Sequence, residues 1–498
     1  MGFRDWFRIL VKPQRFPSLQ KKRVFQAALT DRTLGTWSIS NAHINDLLLS
    51  HLPTLKARSN ELYWNNGYAK RAVTLFRTNV IGKSGVRLQC RFKDHKGSIR
   101  RELNNEIEAA FLRWSEYENS DISGALSWVE MQQLCVLHMV RDGEAIVRMV
   151  KGAKNEFGFS LQIIDPDLLD ISFNRQKSAH ENRIELGIEL DEWDKPIAYH
   201  FKQNLDQFRP TEHKKVPAKE ILHLFVREKA GQRRGIPWLH AGLKDLHMLR
   251  GYSDAELMAA RAGAAKMGFF TQSGAGKYVG DDVDERGNLI TSAEPGSFET
   301  LPAGVDFKPF DPQHPSGNFQ PFLKTMLRGI ACGIGVSYTS LASDLEAVNF
   351  SSIRSSLIEE RDSYMLIQEW IIEHLCKPVY RNWLQMSALK GSIPIPISTL
   401  KEFDSPTWLP RRWAWVDPLK DVKANIEAVN ASLKSRSEVC AEQGRDFEDV
   451  LTEQAQEKII AKENGIDLNQ HINKKEDDDD GHGGSENADT QNATVPIP

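Results

Sequence analysis

Glu144, Asp165, Asp167 and Asp170 lie close enough in the chain to converge on a metal ion, as the acids of a hydrolytic enzyme do. The same residues read equally well as turn-forming acids. Gly274-Ala-Gly-Lys277 offers the glycine amides and lysine of a phosphate cradle, yet the G-x-x-x-x-G-K-[ST] spacing is absent and Tyr278 stands where the hydroxyl belongs. Asp282, Asp284 and Gly287 resemble the start of a calcium loop, but Arg286 occupies a ligand position and no Glu stands at the twelfth place. A solvated acidic turn is the preferred reading. There is no H-E-x-x-H, and Gly335-Val-Ser-Tyr-Thr lacks the closing glycine of a nucleophile elbow. No catalytic, cofactor-binding or metal-binding residue is assigned; catalysis is unsupported rather than excluded.

Trp408, Trp413 and Trp415, with Arg411 and Arg412, could present a surface on which bases stack. Packing of the rings in a core, with two arginines reaching to water, is the preferred account. A formal charge of −3 over 498 residues argues against a protein that clings to nucleic acid through a basic surface. Five widely spaced cysteines with no C-x-x-C pair read as free thiols in a reducing compartment. No stretch is long and apolar enough for a membrane span, and the N-terminus lacks the apolar core of a secretory signal.

The element that must position any function lies between Asn318 and Trp383. Phe322, Met326, Ile330 and Ile334 recur every fourth residue as one helical face, and Gly329, Gly333 and Gly335 make that helix slim enough for close packing. The run Tyr338 to Asn349 breaks the pattern with small, polar and acidic residues. A second helix is expected from Ser351 or Ser352, with Ile353, Leu357, Tyr364, Ile367, Ile371 and Leu375 on its apolar side and a kink at Pro378. Upstream, residues 1–40 form a basic arm, the pattern turns helical from Ile44 to Val80 with Asn60 as a candidate cap before Leu62, Ala69, Val73 and Phe76, and helices are expected over 99–116 and from Ser127 to Met139. Strands follow at 144–150, 159–164, 187–191, 196–201 and 221–225, and a helix after Leu239, so the first half is an α+β domain. Residues 267–315 read as a small β-rich insertion, residues 421–463 as a helix pair, and the acidic tail after about 471 as disordered.

Several phrases of this sequence go together. They are Gly335-Val-Ser-Tyr-Thr-Ser-Leu-Ala-Ser-Asp344, Val348-Asn-Phe-Ser-Ser-Ile-Arg354, Arg141-Asp-Gly-Glu144, Asp165-Pro-Asp167, Gly187-Ile-Glu-Leu-Asp191, Ala198-Tyr-His200, Val216-Pro-Ala218, Ile221-Leu-His-Leu224 and Gly231-Gln-Arg-Arg-Gly-Ile-Pro-Trp-Leu239. Together they resemble the lambda-type portal proteins of tailed bacteriophages, from about residue 40 to about residue 460. The resemblance implies a homo-oligomeric ring, typically of twelve subunits, at one capsid vertex. Through its channel double-stranded DNA passes without regard to sequence. The fold it implies has a mixed wing (40–235, rejoined by a long kinked helix, 351–385), stem helices (236–264 and 318–336), a small β-rich clip (265–317), a tunnel loop (338–350) and a helical crown (386–470).

On that resemblance, Asp344, Glu346 and Asn349 belong to the tunnel loop, whose lack of Lys and Arg would repel phosphate and let DNA slide. Lys324 and Arg328, one turn apart, are candidate cationic rungs along the channel; alternatively they bridge subunits or face solvent. Asp281, Asp282, Asp284 and Glu285 mark the clip, where the terminase large subunit and later the head-completion or connector proteins are expected to dock. Major capsid and scaffold proteins are further expected partners, in the virion and, during assembly, in the host cytoplasm. No cofactor and no enzymatic activity are implied. The rival readings are a terminase-like packaging enzyme, disfavoured by the missing phosphate-binding motif, and an adaptor or minor capsid protein without a channel.

Overall fold

The structure is a computed structural model that describes residues 41–93, 96–97, 99–203, 212–264, 268–272, 282–283, 289–290, 305–309, 319–346, 349–413 and 418–466. The basic arm and the acidic tail lie outside the described residues, as does most of the β-rich insertion.

The chain enters through α1 (Ile44–Asn65), capped by His43. Asn60 is therefore not a cap: it lies inside α1, where its amide donates to Asp142 Oδ1 at 3.0 Å. The helix starts at Ile44, where the helical pattern was expected, because Leu48 and Leu52 already bury one face, an apolar period that runs on to Leu62. Asn66 ends α1 and caps α2 (Gly67–Phe76), which widens into a π turn at Arg77–Ile81 and stops at Gly82. At Gly82 φ is +69°, a conformation that glycine adopts freely. Strand β1 (Arg87–Gln89) follows, then α3 (Arg101–Trp114), the short α4 (Tyr117–Ser120) and α5 (Trp128–Arg141). Ser127 and Glu130 form a reciprocal capping box on α5.

The strands come next: β2 (Ala145–Lys151), β3 (Phe159–Ile164), β4 (Arg183–Glu185), β5 (Ile188–Leu190), β6 (Pro196–Lys202), β7 (His213–Pro217) and β8 (Ile221–Leu224). They make two antiparallel sheets, ordered β3-β2-β8 and β4-β5-β6-β7. Strands β4 and β7 were not expected from the sequence. His213, Lys214 and Lys215 lack an apolar alternation, and only pairing with β6 makes an edge strand of them. Helix α6 (Leu243–Ala264) leads to β9 (Gly268–Gln272), β10 (Asp282–Val283), β11 (Leu289–Ile290) and β12 (Val305–Pro309), paired as β12-β9 and β10-β11.

Helix α7 (Phe319–Ile334) turns through the one-turn α8 (Tyr338–Ala342) into α9 (Phe350–Ile371). The expected kink at Pro378 takes another form. A π turn at Ile372–Cys376 precedes α10 (Lys377–Lys390), which puts Pro378 in the first turn of α10, where its missing N–H matters least. The combined rod also outlasts Trp383, reaching Lys390 for a length of roughly 60 Å at about 1.5 Å per residue. Strand β13 (Thr407–Leu409) then returns to pair with β1, and α11 (Pro418–Asn430), α12 (Arg436–Glu442) and α13 (Phe447–Glu463) close the chain.

The core gathers where α10 enters the first-half domain. Trp383, Tyr380, Trp114, Phe157 and Phe159 are fully buried there, and the Phe111 and Trp383 rings meet edge to face at 5.0 Å. Trp408 joins them, 6.1 Å from Tyr380, so it packs rather than stacks bases. Trp413 donates Nε1–H to Asn79 Oδ1 and carries the Arg361 and Arg411 guanidinium groups against its ring. Trp415 lies outside the described residues.

Candidate functional site

Two arrangements of charge stand out, one buried and one at the surface. In the first, Glu144 is wholly buried at the head of β2, and its carboxylate takes Arg234 at 2.6 and 2.9 Å, Lys56 at 2.9 Å, His223 at 2.9 Å and the Gly235 backbone amide at 3.1 Å. Arg234 gives its other donors to the carbonyls of Leu169, Leu186 and Pro166. Burial alone would raise the Glu144 carboxyl, but the Arg234 and Lys56 charges and the His223 bond hold it well below the ordinary range. With four donors on one carboxylate, no position is left for a metal.

The other three acids do not converge with Glu144. Asp165 caps its own turn, accepting from Asp167 N–H at 3.0 Å. Asp167 reaches Lys56 at 3.4 Å, and Asp170 takes His213, Ser172 and Lys202. Among the described residues no group of three or more His, Cys, Asp or Glu is placed to hold a metal ion. Glu144 and Arg234 both fall within recognisable sequence phrases; a lone acid heading an apolar strand was the signal that a buried cation faces it.

The second arrangement surrounds the break between α7 and α9. The buried side of α7 is Leu327, Ile330, Ala331 and Ile334; Phe322, expected on that side, is instead exposed and meets Tyr252 of α6. Close packing is real at Gly333, where a Cβ would touch Ala241, but Gly329 has open space around it. On the outer side of α7, Gln320, Lys324 and Arg328 succeed one another at four-residue spacing. The segment after α8 folds back along this row. Lys324 Nζ lies 2.8 Å from Glu346 Oε2 and 3.4 Å from Asp344 Oδ2, Gln320 donates to Glu346 at 3.3 Å, and the Arg328 guanidinium lies 5.4 Å from the Tyr338 ring centre.

Thus the predicted acidic loop and the predicted cationic rungs are one cluster. Periodicity placed Lys324 and Arg328 on one face of a helix, but their partners come from a loop whose path the sequence does not disclose. Asp344 is held further by the Tyr338 hydroxyl, which donates to it at 2.5 Å, and by the Glu346 backbone N–H at 3.0 Å. The Tyr338 bond, the Glu346 amide and Lys324 keep the Asp344 carboxyl below its ordinary range, while Glu346 and Asp344 raise the Lys324 ammonium.

Both ends of this segment are anchored. At one end Glu360 of α9, almost fully buried, accepts from the Ser337 and Ser340 hydroxyls at 3.0 and 2.7 Å and from the Tyr364 hydroxyl at 2.8 Å. At the other, Asn349 caps α9 through the Ser352 amide at 2.8 Å. Ser343, the αL residue after α8, has a φ of +54° and marks where the chain turns from the fixed end into the free segment. Glu360, Ser337 and Ser340 were not singled out from the sequence. Of the clip acids, Asp282 lies in β10, paired with Ile290 of β11; Asp281, Asp284 and Glu285 lie outside the described residues.

The profile of a family described as phage portal protein, lambda family, matches residues 30–368. A probable portal protein of Halomonas phage phiHAP-1 is 40% identical over 443 residues, which cover 86% of this chain and 85% of that protein. Portal protein B of Escherichia phage lambda is 20% identical, covering 87% and 88%. Among solved structures, the neck of an empty GTA particle covers 79% of this chain and 93% of its own at 14% identity and a TM-score of 0.43. The family match spans well over half of the sequence, and the Halomonas phage relative covers 86% of it at 40% identity, so the chain belongs to the lambda family of phage portal proteins.

Proposed function

We propose that this chain is the portal subunit of a tailed phage: a structural, non-enzymatic protein whose copies form a ring of about twelve at one capsid vertex, giving double-stranded DNA its way in during packaging and out during ejection. The observation that carries this reading is membership of the portal family along most of the chain; the polar segment between α7 and α9 supports it as a loop suited to facing DNA. In this reading residues 40–235 are the wing, α6 and α7 the stem, 265–317 the clip, 338–350 the tunnel loop, 351–385 the long helix back to the wing, and 386–470 the crown. The clip acids Asp281, Asp282, Asp284 and Glu285 would meet the terminase large subunit first and head-completion proteins later, and the wing and crown the capsid and scaffold.

The loop does not present DNA with a bare acidic ring. Lys324 offsets one of the two charges on Asp344 and Glu346, so a duplex would meet a weakly acidic surface. Such a surface neither grips nor strongly repels phosphate. Mass photometry and negative-stain imaging of the purified protein test the reading: closed rings with a stain-filled hole are expected. A chain that stays monomeric even with scaffold and capsid proteins added would overturn it.

A further inference from the structure

The segment between α8 and α9 has two fixed ends and a breakable middle. Glu360 clamps the α8 end from within the fold, and Asn349 caps α9 at the other. Between them, the contacts that tie residues 343–346 to α7 are polar. Asp344 answers both to Tyr338 and to Lys324, whereas the Glu346 carboxylate is held by side chains of α7, Lys324 and Gln320, and is two-thirds exposed. The outer end of the segment is thus the weaker one.

A phosphodiester oxygen offers an ammonium the same kind of charge-assisted bond that a carboxylate does. A duplex presents one such charge about every 1.7 Å along its axis and is a far denser source of anions than the loop. Lys324 is about a quarter exposed, so an anion can reach it without unfolding the stem.

We propose that Lys324 is an exchange point between carboxylate and phosphate: the backbone of the translocating duplex takes the ammonium from Glu346, and the outer end of the loop, its acid now unpaired beside phosphate, swings off α7. Tyr338 keeps Asp344 in place, so the movement pivots beyond it, at Leu345, and is reversible once the phosphate moves on. Each subunit then makes and breaks one ion pair as DNA passes, and neither partner is left buried and unpaired. The DNA step rests on the channel reading above; the resting ion pair does not.

The test is hydrogen exchange of residues 343–346 in assembled rings, with and without a short blunt duplex, against sodium chloride at matched ionic strength. Lys324→Gln is expected to speed exchange there by about two- to fivefold without DNA, the range exposed ion pairs set. The duplex should give the wild type a similar rise beyond the salt control and give Lys324→Gln none. Unchanged protection at Leu327–Ile334 shows that the stem is intact in both. Wild-type protection in Lys324→Gln without DNA overturns the proposal, as does a wild-type ring that takes up duplex with no change beyond the salt control. Rings that take up no duplex overturn the channel reading, and the exchange with it, even where Lys324→Gln still loosens the loop; this separates the two failures.

Discussion

Gly143 and Gly235 meet backbone to backbone: a Cβ placed on Gly235 would fall inside the Gly143 carbonyl, and one on Gly143 would strike the backbone of Ile236 and Pro237. The contact brings the head of β2 against the chain that enters α6. It is also what lets the Gly235 amide reach Glu144.

Gly235→Ala is therefore expected to cost at least about 2 kcal/mol, since the obstacle is main chain and cannot step aside as a side chain can. Gly143→Ala should cost at least as much, because its φ of +89° adds strain. Urea unfolding followed by circular dichroism checks both, and wild-type midpoints would contradict the packing described.

Arg234→Met should cost about 3–5 kcal/mol, because it leaves Glu144 buried without its strongest partner. Glu144→Gln should fall in the same range for the opposite reason, leaving Arg234 without its counter-charge and Lys56 with only the longer contact to Asp167. The double variant Glu144→Gln with Arg234→Met should cost less than the sum of the two. An additive result would mean that the pair does not act as a unit.

Two carboxylates, Glu189 in β5 and Asp170 beside the same sheet, set an acid limit. Burial pushes the Asp170 carboxyl up, but His213, Ser172 and Lys202 outweigh it and hold it at about 2, against an ordinary 3.8. Asn182, Lys215 and His200 likewise bring Glu189 to about 2, from 4.5. Both folded-state values are depressed, so their contribution is complete above the ordinary values and is lost as pH falls through them toward about 2. Urea midpoints should drop steadily over that window, and Asp170→Asn should flatten part of the slope; an unaltered slope would count against this account.

Glu360→Gln keeps the size of the anchor beneath α8 but weakens its grip on three hydroxyls. Faster hydrogen exchange across Ser337–Ala342, with a loss of about 1–3 kcal/mol in local stability, is expected. Unchanged exchange there would mean that α8 is held by Leu341 and its apolar neighbours alone.

The sequence was legible where a pattern is local. Strand β3 was expected over the residues it occupies, and α5 begins at the Ser127 cap its sequence announces, because alternation and capping act within a few residues. Asn60 misled because Asn at a helix start and Asn on a helix side bonded to a distant acid look the same in one dimension. The site divides in the same way. Spacing alone put Lys324 and Arg328 on one face, while the return of Glu346 onto that face depends on Glu360 clamping α8, a contact between segments that share no pattern.

The π turn at Ile372–Cys376 sets a phase. Tyr364, Gln368, Ile372, Cys376, Tyr380 and Leu384 are all buried, at a constant spacing of four. On a plain α-helix of about 3.6 residues per turn, such a stripe would wind steadily around the rod and leave the core. The wide turn takes up about one residue, or about 100°, roughly half of the drift from Tyr364 to Leu384, and so holds Tyr380 and Leu384 nearer the side where Tyr364 began. The rod therefore carries a spare residue: it can lose one near the turn by closing to ordinary α-helix, whereas a residue gained has nowhere to go. Length variation along this helix should accordingly be one-sided, tolerating shortening and resisting extension.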